Sequence, residues 1–515
     1  MNRIVFFMLL CAALIAPGVA DAGVRLHKAG TYSSGVFDES AAEIVAYDRD
    51  TSQVFVVNAN SGHVDVLDAS DITRPRKVRH FDYSQFGGTV NSVACMNGMV
   101  AVAVEAKDKQ APGVIVVTDV RGRKLGAFKA GALPDMVTFT PDGKYILAAN
   151  EGEPNDAYDN DPEGSVTVID ISRGIAKARV RQADFRGFNS KLDTLREKGV
   201  RISHPGSTVA QDVEPEYIAV GPDSRIAYVA LQENNALAVV DIRSAKIRDI
   251  LPLGLKDWDG NGWKFDASDK DKRINLHFWP VFGAYMPDAV AAYEVDGKTY
   301  IVSANEGDSR EYGDYADEIR FGKAAIDGDS CSYAKALQDE KALGRLKVIQ
   351  DLSDRDGDGD FDRIVAFGGR SFSIWDEDGR LVYDSGDEFE HVLAVRYPQW
   401  FNAGNDKNKF DNRSDDKGCE PEAVAVGVID GRAYAFIGLE RMGGIMVYDV
   451  TDPKNPEFVE YRLDRDFSGD PEKGTAGDLG PEGFKFVPAS ESHTGTNLLI
   501  VGSEVSGTTT IYEVR

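Results

Sequence analysis

Nine residues, Asp354-Arg355-Asp356-Gly357-Asp358-Gly359-Asp360-Phe361-Asp362, set acidic side chains at alternate positions around two glycines. Asp354, Asp356, Asp358 and Asp362 offer carboxylates, Gly359 allows a sharp turn, and Asp360 offers its backbone carbonyl. Hard oxygen donors on a short flexible loop suit Ca2+. The twelfth position of an EF-hand would fall on Val365, which carries no carboxylate, so the expected calcium site is not an EF-hand.

A second acidic set is spread along the chain. Glu43, Asp135, Glu216, Asp288, Glu422 and Glu482 each open an apolar alternating run, with Asn91 as the exception. Glu105, Glu151, Glu233, Glu306, Glu440 and Glu504 each end the following run, with Asn58 or Asn60 in the first copy. Brought to one place, two such rings repel unless they bind cations, pair with arginines, or take up protons. Arg310 and Arg441, close behind Glu306 and Glu440, are the candidates for internal pairing. Carboxylates at such positions also accept backbone N–H groups in turns, which accounts for part of the set.

The elements that must position these residues form a repeated unit, clearest over Leu133–Asp170. Two β-branched runs flank a Pro141-Asp142-Gly143 turn, and a third run closes on Asp170. Period-2 alternation with that turn predicts an antiparallel meander. The unit recurs seven times, with third runs ending at Asp68, Asp119, Asp170, Asp241, Asp376, Asp449 and Glu513. Six copies have a fourth run; the seventh lacks one, and Val24–Tyr32 supplies it. An all-β, seven-bladed β-propeller over residues 23–515 is expected, closed by the N-terminal strand. The long connections follow second strands or join blades, as in the insertion 307–370 that carries the aspartate loop. They emerge on one face, which is where function is expected. Short helices are expected at Asn189–Gly199 and Ser332–Gly344.

Residues 1–22 read as a signal peptide, with Arg3, the apolar stretch Ile4–Ile15 and Ala20-Asp21-Ala22. Its removal takes one Arg and one Asp, so the formal net charge stays at -26. That charge argues against nucleic acid and anionic membranes and favours divalent cations or cationic ligands. No later stretch is apolar enough to span a bilayer. The mature chain is expected to be a soluble monomer, periplasmic or extracellular. There Cys331 and Cys419, both placed in loops, are expected to pair, while Cys95 is a core thiol. The seven histidines form no zinc pattern, and no serine elbow, P-loop or dinucleotide fingerprint occurs.

Several stretches resemble the choice-of-anchor I family of exported proteins. They include Asn150-Glu151-Gly152-Glu153, Val209–Ile218, Leu231–Leu237, Asn305-Glu306-Gly307-Asp308, Phe367–Trp375 and Gly438-Leu439-Glu440-Arg441. The family is similar to mesenchyme-specific cell surface glycoproteins, and some members are described as alkaline phosphatase or phytase-like. The resemblance implies export and a propeller, with no agreed catalytic residues. Two readings follow. In one, the protein is a calcium-stabilised extracytoplasmic binding module for a phosphorylated or cell-surface ligand. In the other it is a metal-dependent phosphoesterase, with Glu306 and Glu440 supporting a metal and Arg310 or Arg441 clamping phosphate.

Overall fold

The computed structural model describes residues 23–327 and 334–515; the predicted signal peptide and Cys331 lie outside them. Seven separate four-stranded antiparallel sheets carry the fold. The first three use Val45–Asp82, Val90–Ala132 and Pro134–Asp184. The fourth uses Pro215–Pro252, the fifth Val290–Asn305 with Ser371–Asp384, and the sixth Pro421–Arg462. The seventh combines Pro481–Val487, Asn497–Ser503 and Thr508–Val514 with Leu26–Ser33, which pairs antiparallel to the last of these. Leu26 lies opposite Val514 and Ser33 opposite Thr508.

Within each sheet the burial follows strand position. Second strands are buried on both faces, as at Val54, Phe55, Val56 and Val57, because neighbouring sheets cover both sides; such strands read as continuous apolar runs. Fourth strands lie outermost and keep the polar alternation, as in Arg76–Asp82. First strands of successive sheets pack side by side, and that of the seventh packs against those of the sixth and the first. This radial packing is that of a β-propeller.

The insertions build their own layer. Five strands from two connections, Leu255–Asp257, Phe282–Ala284, Val365–Phe367, Lys347–Ile349 and Glu318–Arg320, form one sheet in that order. Phe282–Ala284 and Val365–Phe367 pair in parallel. Trp258, Phe265, Trp279, Phe321, Leu343 and Leu346 give this layer its own core. Short helices were expected in the insertions. Leu192–Lys198 is helical and ends on left-handed Gly199, and the second expected helix is a single α-helical turn, Ala334–Leu337. The inserted sheet itself is not apparent in the sequence, since its three-residue strands are too short to show a period.

The expected pairing of Cys331 with Cys419 has Cys331 outside the described residues, so of that pair only Cys419 is described. Cys419 is a free thiol with no exposed surface, packed among Phe389, Leu439 and Met442. Burial pushes its pKa far up, which makes the thiol inert. Cys95 is also free, and only partly buried.

Candidate functional site

The first strands deliver their acidic residues through irregularities. The register slips between Pro134 and Val137, Pro215 and Ile218, Pro421 and Val424, and Pro481 and Gly483. Asp135, Glu216, Glu422 and Glu482 therefore sit at β-bulges, which re-aim a side chain out of the normal alternation. The preceding proline has no N–H to lose at such a break. Asn91 occupies the same kind of slip in the second sheet.

The second strands bring the other set to the same place. Carboxylate oxygens of Glu43, Glu482 and Glu504 lie within 4.8 Å of one another, as do those of Asp288, Glu306 and Glu422. Glu306, Glu420 and Glu440 form a third group. Just after Glu306, Gly307 and Gly368 let the two limbs of the insertion touch backbone to backbone. Both have positive φ, and a Cβ on Gly368 would stand 2.0 Å from the Glu306 carbonyl oxygen.

This carboxylate cluster, hereafter the channel, is electrostatically divided. On one side Lys417 Nζ lies 2.5 Å from Glu306 Oε1 and 3.2 Å from Glu420 Oε2. Arg441 reaches Glu440 at 2.8 Å and Glu420 at 3.1 Å, and Arg413 reaches Glu420 at 2.5 Å. Burial pushes Glu420 up, but Lys417, Arg413 and Arg441 outweigh it and hold the carboxyl far below its ordinary value. Gln232 and Asn405 donate to Glu306 and Glu440, at 2.9 Å each.

On the other side a cavity of about 320 Å³ is lined by Glu43, Glu105, Asp135, Glu151, Glu153 and Glu482, with Lys109 as its one cation. Burial, then Glu504, pushes Glu43 up to about 8. Burial, then Glu153 and Glu105, takes Asp135 up to about 6. Glu151, Glu216, Asp288, Glu422 and Glu482 are raised well above normal, by burial first and second by the neighbouring carboxylates Asp135, Glu233, Glu306, Glu440 and Glu43 respectively. Glu233 rises to about 7 through burial, despite Arg310 nearby. One buried oxygen each of Glu216, Glu233, Glu422 and Glu482 has no hydrogen-bond partner among the described residues.

The expected carboxylate set thus converges, but Arg310 does not serve it as anticipated. Its guanidinium is buried and bound to Glu214 Oε2 (3.1 Å), Asp212 Oδ1 (3.2 Å), Ser203 Oγ (2.7 Å) and the Asp212 carbonyl. It pins the 185–214 connection to the 307–370 insertion and has no face for phosphate. Lys417, Arg413 and Glu420 escaped sequence reading because they lie in the 404–420 connection, outside the repeat. Glu153 stood in view two residues after Glu151. The Pro-acid dipeptide at Pro134-Asp135, Pro215-Glu216, Pro287-Asp288, Pro421-Glu422 and Pro481-Glu482 was the available signal for most of the openers.

In the aspartate loop, Asp354, Asp356 and Asp362 bring carboxylate oxygens within 4.8 Å of one another. Asp358 and Asp360 are not in that group; Asp358 Oδ1 accepts the Asp360 N–H. Asp354 accepts the N–H groups of Gly357 and Gly359 and so shapes the turn.

Comparison with known proteins adds family context. The profile of the choice-of-anchor I domain matches residues 43–453. The mesenchyme-specific cell surface glycoprotein of Strongylocentrotus purpuratus is 28% identical over 332 residues, covering 56% of this chain and 42% of that protein. The chain therefore spans about two fifths of that relative's length. Gigasin-3a of Magallana gigas is 32% identical over 199 residues, covering 35% of this chain and 67% of that protein. Among solved structures, Kuenenia stuttgartiensis hydrazine synthase aligns with a TM-score of 0.46 at 12% identity, over 94% of this chain and 99% of that one. A streptogramin B lyase aligns with a TM-score of 0.45 at 10% identity, over 96% and 98%. Among the described residues no helix is long and apolar enough to cross a membrane.

Proposed function

The chain belongs to the choice-of-anchor I family, and from that premise we propose an exported binding module whose central carboxylate cavity holds divalent cations, calcium first among them. The seven sheets are read as seven blades of a ring, with Leu26–Ser33 completing the last. Export is supported by the family and by the relative described as a cell surface glycoprotein. The observation that carries the cation reading is the cavity in which six carboxylates face one lysine. Unpartnered buried oxygens on Glu422 and Glu482 fit a hard cation, which would repay their desolvation. Asp354, Asp356 and Asp362 would hold a separate calcium on the insertion and stiffen it. Calorimetric titration of chelator-treated protein with calcium tests the proposal. Two classes of site are expected, one weakened in Asp356→Asn and the other in Glu482→Gln. Absence of any saturable calcium binding rejects it.

Catalysis is the second reading. It draws support from Arg441, whose side chain is 29% exposed beside Glu440 and Glu420. With Arg310 turned inward, Arg441 and the cavity's Lys109 are cations available to meet a phosphate near the carboxylate cluster. Calcium-dependent hydrolysis of a phosphomonoester, abolished by Glu440→Gln, supports this reading. Calcium binding without turnover leaves the binding module alone.

A further inference from the structure

Away from the channel, a cavity of about 550 Å³ opens between the 196–203 segment and the start of the aspartate loop. In a chain of net charge -26 its lining is basic: Arg196, Arg201, Arg355 and Arg363 face Glu197 and Asp351. Arg201 is held by two carboxylates, Asp351 at 3.0–3.1 Å from Nε and 2.7 Å from Nη2, and Asp317 at 2.5 Å from Nη2. The charged lining outside that group is three guanidiniums and Glu197.

Those three are poorly occupied. Arg355 is exposed, and its guanidinium makes no hydrogen bond or ion pair among the described residues. Arg363 is half-buried, lies over the Phe282 ring and, among the described residues, donates only Nε, to the Leu352 carbonyl at 2.9 Å. Arg196 donates Nε and Nη2 to the Ile202 carbonyl, and its Nη1 makes no hydrogen bond among the described residues. Arg355 places a like charge near Arg363, and Asp362, whose Oδ2 accepts the Arg355 backbone N–H at 2.7 Å, is the adjoining carboxylate; an anion in the cavity would relieve the remaining repulsion.

We propose that this cavity is a binding site for the phosphate or sulfate group of a small molecule, held by Arg196, Arg355 and Arg363. Guanidinium forks arriving from separate segments suit a tetrahedral oxyanion, whereas a carboxylate offers only two oxygens. The volume admits a sugar-sized ester as well as the free anion. The site shares no residue with the channel cluster and does not rest on the cation reading.

The test is calorimetric titration of the full chain with sodium sulfate and with glucose 6-phosphate, with and without calcium. Saturable binding is expected, weakened roughly tenfold or more by Arg355→Gln and by Arg363→Gln, and unchanged in the exposed control Arg225→Gln. Arg355 is exposed, so its variant folds whatever becomes of Arg363. Tighter binding of glucose 6-phosphate than of sulfate marks an ester as the source, and equal binding marks the free anion; both support the site. No saturable binding of either probe at millimolar concentration, or affinities unchanged in both arginine variants, overturns it.

Discussion

Lys417 Nζ stands 2.5 Å from Glu306 Oε1, an ammonium from the connection before the sixth sheet set against a carboxylate ending the second strand of the fifth. Both side chains are largely withdrawn from water, so each is committed to the other. Lys417→Met should cost about 3 kcal/mol in urea unfolding, because it strands Glu306 among other carboxylates. Calcium should restore more stability to this variant than to the parent. Equal stability of variant and parent would show that the ion pair contributes nothing net.

Stability should depend on pH in a direction opposite to ordinary acid denaturation. Burial pushes Glu43 up to about 8, Glu233 to about 7 and Asp135 to about 6 in the folded protein, all above their unfolded values. The folded state therefore keeps protons that the unfolded chain has lost, and this contribution to stability disappears as pH rises through those values. Calcium-free protein should unfold at lower urea near pH 8 than near pH 5.5. Added calcium should help most at the upper end, since it replaces the protons. A calcium-free midpoint that rises over this window contradicts the carboxylate crowding.

Glu482→Gln removes one charge from the same cluster. The calcium-free protein should gain on the order of 1 kcal/mol at neutral pH, while calcium affinity at the channel falls roughly tenfold. Thermal melts with and without calcium separate the two effects. A variant that is both less stable and equally responsive to calcium would mean that Glu482 serves only the bulge.

The aspartate loop gives a graded expectation. Asp356→Asn should weaken calcium binding there more than Asp358→Asn, because only Asp356 joins Asp354 and Asp362 in one group. Limited proteolysis should then cut within 307–370 sooner, with the sheets still folded. Identical losses in the two variants would mean that the loop rearranges on binding.

Deleting residues 24–32 should leave Thr508–Val514 as an open edge and drive aggregation. Light scattering on heating checks it; unchanged solubility and melting would show that the pairing is dispensable.

Much of the fold was legible because the repeat is local. Three units carry an Asp-Gly first turn, at Asp142-Gly143, Asp296-Gly297 and Asp430-Gly431, and six of the seven carry an acidic opener ahead of an apolar run, so Asp135 and Glu422 could be aligned without knowing any contact. The convergence of these openers followed from the expected ring. What stayed hidden depends on contacts between distant segments. Arg310 looked available because Glu306 is four residues away, yet Asp212 and Glu214, about a hundred residues earlier in the chain, claim it. Lys417 carried no periodic signal at all. Cys419 looked like a loop cysteine because the apolar residues that bury it come from Phe389, Leu439 and Met442, on separate segments.

The pairing of Leu26–Ser33 with Thr508–Val514 also sets a timetable. The strand that leaves a ribosome or a translocation pore early has no partner until nearly five hundred further residues have followed. For that interval it is an unpaired edge needing a holding chaperone, and the contact is among the most non-local a chain of this length can make, hence slow. A product stopped short of Thr508 would carry an unmatched strand at each end. Quality control could therefore recognise an unfinished copy by its open edges alone.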